Sequence, residues 1–147
     1  MKLSLSFQDY ISIKIHQTDL RLTSFIKTKL VDYNLAPEQN LIMMLLWETN
    51  GLTQNQLAHK LNKDKTNVAR MAVSLEKKGF IDRIPSSDDK RSLQLSLTAE
   101  GRKLKHQILP EAEDFNAKVC SDFSKEELDE LNRLLTKINR NIEKFDG

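Results

Sequence analysis

Cysteine, glycine, proline and long apolar runs are all scarce in this chain. A single cysteine, Cys120, cannot form an internal disulfide, so a reducing cytoplasm is the simplest home. Four glycines and three prolines in 147 residues are too few for the many turns of an all-β fold. No apolar run approaches the roughly 20 residues of a membrane span, so no membrane partner is expected. Ser4, Ser6, Gln8 and Asp9 interrupt the stretch after Met1-Lys2 before a signal-peptide core can form. The three histidines, His16, His59 and His106, stand alone without Cys, Asp or Glu at ligand spacing, which argues against a metal site. Asp88-Asp89 and Glu126-Glu127 suit a turn and a helix start better than acid–base catalysis. With no glycine-rich phosphate loop and no nucleophile elbow either, neither an enzyme nor a cofactor is expected.

What remains is a soluble, helix-rich composition, 39% hydrophobic and 30% charged, with a formal charge of +2. That charge is unevenly spread. Residues 1–51 are neutral and residues 98–147 carry −2, whereas residues 52–97 carry nine basic groups against five acidic ones, net +4. Positive charge is therefore concentrated where a nucleic acid could be met.

The same segment has the clearest local pattern. Leu52-Thr53-Gln54-Asn55-Gln56-Leu57 fits a capping box (Thr53 with Gln56) inside a hydrophobic staple, which predicts a short helix broken at Asn62-Lys63. Asp64 then caps a second helix whose Val68, Met71, Ala72 and Leu75 form a stripe that must be buried. Its exposed N-terminal half carries Lys65, Thr66, Asn67 and Arg70, which can reach phosphates and base edges in a DNA major groove. A solvated surface helix would show the same pattern. Lys77-Lys78-Gly79 closes this helix, with Gly79 at the position just past its end.

Two short strands follow, Phe80 to Ile84 and Leu93 to Leu97, separated by a polar loop with Lys90 and Arg91 at its tip. Helix-turn-helix plus a hairpin with a basic loop is a winged helix. It would put Lys90 and Arg91 beside the backbone or minor groove while the second helix lies in the major groove.

Outside this segment lie amphipathic helices. Phe7, Ile11, Ile15, Leu22, Phe25 and Ile26 recur at helical spacing, and Pro37 opens a helix containing Leu41, Met44, Leu45 and Trp47 that ends at Asn50-Gly51. Thr98 is placed to cap a long segment reaching about Cys120, in which Pro110 predicts a kink or a split. Gly101 in its first turn suits either close packing or an undemanding position. Ser124 and Glu127 form a second capping box, and Leu128, Leu131, Leu135, Ile138, Ile142 and Phe145 make a stripe near heptad spacing. Such helices could form a small core alone, but packing on a second copy is favoured; the homodimer would set two recognition helices about one DNA turn apart for a palindrome.

Asp64-Lys65-Thr66-Asn67-Val68, Leu75-Glu76-Lys77-Lys78-Gly79-Phe80-Ile81, Asp89-Lys90-Arg91-Ser92 and Leu97-Thr98-Ala99-Glu100-Gly101 resemble, in order and spacing, the MarR (multiple antibiotic resistance regulator) family. The likeness is strong between Leu41 and Leu104. It implies a mostly α (α+β) fold, a winged helix-turn-helix over about 37–98, with dimerisation helices from about 1–36 and 99–147. It also implies that Arg91 enters the minor groove while Asp89 steadies it. Lys90 stands where typical members carry a first arginine, which keeps the charge and loses the planar fork.

The expected function is a dimeric regulator, a repressor of the MarR type, on a pseudo-palindromic double-stranded operator. Thr66, Asn67 and Arg70 would read bases, Arg70 being the best candidate for a guanine contact, while Lys65 and Lys90 would hold phosphates. A winged helix that binds protein instead of DNA is the alternative. The family also implies a small aromatic or phenolic effector lodged between the DNA-binding lobe and the dimer helices. Tyr10, Tyr33, Met43, Met44 and Trp47 could line such a pocket, but core packing explains them as well, so no ligand residue is assigned. Some relatives sense oxidants through a first-helix cysteine, which this chain lacks; Cys120 fits an inert, partly buried thiol.

Overall fold

The computed structural model describes residues 4–88 and 91–146, which are mostly helical with one two-stranded antiparallel sheet. After a 3-10 turn at Phe7–Asp9 come α1 (Ile11–Leu30), a second 3-10 turn (Val31–Tyr33), α2 (Pro37–Glu48), α3 (Gln54–Leu61) and α4 (Lys65–Lys77). Strands β1 (Ile81–Pro85) and β2 (Leu93–Leu97) follow, then α5 (Ala99–Val119) and α6 (Lys125–Phe145). The chain divides into two compact units, residues 1–112 and 113–147.

In the first unit the core is built around α2. Ile42, Met43 and Leu46 are fully buried in a cluster with Leu57 of α3, Val68, Ala72 and Leu75 of α4, Ile81 and Leu95 of the hairpin, and Leu104 and Ile108 of α5. Buried aliphatic side chains of this kind contribute about 1.5–3 kcal/mol each, so this cluster, more than helix propensity, holds the short helices α3 and α4. The indole Nε1–H of Trp47 donates to the Gly101 carbonyl at 2.9 Å, tying α2 to the start of α5.

The helix ends follow from the side chains placed there. Thr53 Oγ1 accepts from the Gln56 amide at 3.1 Å while Gln56 Oε1 accepts from the Thr53 amide at 2.9 Å, so α3 begins with the expected capping box. Asn62 stops it in the left-handed region, at φ 52°. Gly79, at φ 85°, ends α4, and the Phe80 amide reaches back to the Leu75 carbonyl at 3.1 Å. Thr98 Oγ1 accepts from the Gly101 amide at 3.0 Å and donates to the Gly79 carbonyl at 2.6 Å. One hydroxyl therefore caps α5 and joins it to the end of α4.

The hairpin pairs Ile81 with Leu97, Arg83 with Leu95 and Pro85 with Leu93. It has a third edge. The Leu95 amide donates to the Leu52 carbonyl at 2.9 Å, Thr53 bridges Gln94, and Asn50 Oδ1 accepts from the Leu97 amide at 2.8 Å. The segment before α3 thus locks the wing to the helix-turn-helix.

Pro110 does not split its helix: α5 runs without a break from Ala99 to Val119. A proline removes one amide donor, and the helix is long enough on both sides to continue. In the second unit, α6 starts with the predicted box, Ser124 Oγ to the Glu127 amide at 3.1 Å and Glu127 Oε1 to the Ser124 amide at 2.9 Å. It has no buried residue and leaves Leu131, Leu134, Leu135, Ile142 and Phe145 exposed. Within the first unit, Phe7, Tyr10, Ile11 and Ile15 are likewise exposed.

Candidate nucleic-acid interface

Helix α4 has the two faces that its sequence dictates. Val68, Ala72 and Leu75 are buried and Met71 is half-buried, while Lys65, Thr66, Asn67 and Arg70 are all exposed on its first turns. Asp64 caps it at φ −73°, ψ 155°, with Oδ1 accepting from the Asn67 amide at 2.7 Å. The second carboxylate oxygen, Oδ2, accepts from the side-chain Nδ2 of Asn67 at 2.9 Å. Neither Lys65 nor Arg70 has an ion-pair partner among the described residues. Their charges remain available to an anion such as a phosphate.

The inner side of α4 is pinned at both ends. Lys63, in the turn before it, pairs with Glu38 of α2 at 2.8 Å. Near its end, the buried Gln39 donates through Nε2 to Ser74 Oγ at 2.9 Å, and Gln39 Oε1 accepts from Lys78 Nζ at 2.7 Å. Partial burial pushes the Lys78 ammonium below the ordinary lysine value. Glu76 accepts from the Arg83 amide at 3.1 Å and from Arg83 Nε at 3.3 Å, joining α4 to β1. Lys63, Lys78 and Arg83 are therefore engaged in holding α4. Of the eight basic residues of this segment that the structure describes, Lys60, Lys65, Arg70, Lys77 and Arg91 are exposed.

At the wing, the Ser86 amide donates to the Ser92 carbonyl at 3.1 Å, closing the loop base, with both serines buried. Arg91 is exposed immediately before that base. The other two wing candidates, Asp89 and Lys90, lie outside the described residues.

The remaining candidates are dispersed. Met43 and Trp47 belong to the core, Met44 and Tyr33 pack against it, and Tyr10 is exposed, so core packing accounts for four of the five. Cys120 is half-buried near Asn116 Oδ1 at 3.9 Å. Among the described residues no group of His, Cys, Asp or Glu is arranged to hold a metal ion. No described helix is long and apolar enough to cross a membrane. What sequence reasoning missed is the second contact of Asp64, with the Asn67 side chain. The signal was present, since an Asp at the N-cap and an Asn three residues on are close enough to bond.

A MarR family model matches residues 35–93, the winged-helix segment. The HTH-type transcriptional regulator YybA of Bacillus subtilis (strain 168) is 30% identical over 123 residues, covering 84% of this chain and 82% of the relative. The chain belongs to the MarR family. MarR proteins are transcriptional regulators of winged-helix fold, not enzymes. The transcriptional repressor MprA of Escherichia coli (strain K12) is 29% identical over 106 residues, 72% of this chain and 60% of that repressor's length. A MarR-family regulator from Listeria monocytogenes, solved in complex with 26mer DNA, superposes with a TM-score of 0.82 at 28% identity, covering 91% of this chain and 89% of that one. In this MarR regulator, the exposed first turns of α4 and the wing are the surfaces to test for DNA contact.

Proposed function

We propose that this MarR regulator is a repressor that binds a pseudo-palindromic operator as a homodimer. The observation that carries this reading is the pinned, two-faced α4. It is held by the core, by Gln39 on Ser74 and by Arg83 on Glu76, with Lys63 just before it paired to Glu38, while Lys65, Thr66, Asn67 and Arg70 stand exposed together. Thr66, Asn67 and Arg70 read base edges in the major groove, Arg70 by a bidentate contact to guanine. Lys65 and Lys90 hold phosphates, Arg91 enters the minor groove, and Asp89 steadies Arg91. The repressor named MprA and the Listeria protein complexed with DNA support repression and DNA binding. They disfavour a module that binds only protein.

The dimer is proposed to form through the exposed apolar faces of α1 and α6, and a small aromatic or phenolic effector to act by favouring one spacing of the two recognition helices over another. Such a ligand must bind one spacing more tightly, or it shifts nothing. No residue is assigned to it.

The roles on α4 separate in a binding experiment. Arg70→Ala is expected to cost about 1–3 kcal/mol on the operator and to relax specificity at one position per half-site. Lys65→Ala weakens operator and random DNA alike and lowers the log–log salt slope by about one for each phosphate that Lys65 neutralises. Equal losses on operator and random duplexes for Arg70→Ala, measured by fluorescence anisotropy, would remove its base-reading role.

A further inference from the structure

Asn67 is the candidate reader whose side chain is held by another described residue in the free protein. A carboxylate only accepts hydrogen bonds, so the Asp64 Oδ2 contact at 2.9 Å fixes which end of the Asn67 amide is nitrogen and which is oxygen. Without that contact an exposed asparagine can turn its amide over, offering an acceptor or a donor at the same point. With it, one Nδ2 hydrogen is spent on Asp64, and Oδ1 and the second Nδ2 hydrogen remain. That acceptor–donor pair is what the N6-amino group and N7 of adenine require in the major groove.

We infer that Asp64 is a positioning residue for specificity: besides capping α4, it orients Asn67 to read an adenine in each half-site. The inference rests on the DNA-binding reading proposed above. Two roles meet in one carboxylate, Oδ1 on the Asn67 amide at 2.7 Å and Oδ2 on the Asn67 side chain. They can be separated chemically. Serine is about as good an N-cap as aspartate, but its single oxygen cannot serve the backbone and also hold the side-chain amide as the second carboxylate oxygen does. Asparagine also caps, and presents an NH2 group where the second acceptor was. Removing the carboxylate takes negative charge away from the phosphates and so strengthens binding to all sequences together. Only the ratio between sequences reports on positioning.

The test measures binding of the full-length protein to an operator selected from random duplexes, and to that operator changed to each other base at every position. Wild type, Asp64→Ser, Asp64→Asn, Asn67→Ala and the double variant Asp64→Ser/Asn67→Ala are compared, with thermal melting of each. The expected result is an adenine preference at one position per half-site that is lost in Asn67→Ala. It falls by about tenfold in Asp64→Ser and Asp64→Asn with melting temperatures near wild type, and the double variant falls no further than Asn67→Ala. An adenine preference unchanged in Asp64→Ser and Asp64→Asn, or one that Asn67→Ala does not alter, overturns the inference while leaving the DNA-binding reading intact. A wild-type protein with no preference among duplexes overturns that reading, and this inference with it.

Discussion

Gly101→Ala is expected to destabilise the protein by about 3 kcal/mol, lowering the melting temperature by about 6–12 °C. The sign is what makes the result informative. In an ordinary helix interior, replacing glycine by alanine stabilises by roughly 1 kcal/mol. Here a Cβ on Gly101 would collide with the Phe80 carbonyl oxygen, which is backbone and cannot swing aside as a side chain can. That carbonyl already accepts from the Thr98 amide at 3.1 Å, and the Gly101 carbonyl receives the Trp47 indole at 2.9 Å. Moving α5 away to make room therefore loosens its cap and its tie to α2 at once. Gly79→Ala provides a contrast, because nothing lies within 4 Å of its Cβ. Its cost comes only from the left-handed backbone at φ 85°, about 1–2 kcal/mol. Thermal denaturation followed by circular dichroism ranks the two; a Gly101→Ala protein as stable as wild type contradicts the close packing of α5 on Phe80.

Charge placed on the α6 stripe is expected to have the largest effect on DNA binding. Leu131 and Leu135 are 46% and 41% exposed on a helix with no buried residue. Large aliphatic side chains in such a row are unfavourable in water unless another surface covers them. A Leu131→Lys/Leu135→Lys double variant would remove roughly 1.5–3 kcal/mol of burial per side chain and set like charges facing each other across a two-fold axis. The expected outcome in sedimentation equilibrium is a monomer at concentrations where wild type is a dimer. Operator affinity then falls by about 100-fold or more, because the second half-site no longer binds at high effective concentration. The secondary structure should survive, since neither residue belongs to the core. A variant that stays dimeric, or a monomer that binds the operator as tightly as wild type, contradicts dimerisation through α6.

Much of this fold was legible in the sequence because its helix boundaries are set by local chemistry. Thr53 with Gln56, Asp64 and Ser124 with Glu127 cap helices through side chains three residues apart, and Gly79 ends one by its backbone freedom. The features that escaped depend on partners distant in sequence. The pairing of Leu52 and Thr53 with β2 is too short to show an alternating pattern, and it exists only because the wing folds back across Asn50. Gly101 gave no local sign of whether it was required; Phe80, some twenty positions away, decides that. Segment charge likewise overstated the DNA-facing surface, because Lys63 is paired with Glu38 from outside the segment and Lys78 is turned onto Gln39. Among the candidate contacts, the exposed group on α4 followed from helical periodicity, whereas the Asp64 hold on the Asn67 side chain needed the geometry of the cap.

The most direct test of DNA binding is selection of the purified protein against a random pool of duplexes, with the enriched and a scrambled duplex then titrated over a range of salt. The predicted result is a two-fold symmetric sequence with half-sites about one helical turn apart, and a log–log salt slope corresponding to on the order of six or more phosphate contacts per dimer. Arg91→Ala should weaken binding to the enriched duplex. No enriched sequence, together with weak and salt-insensitive binding to any duplex, would contradict a DNA-binding regulator.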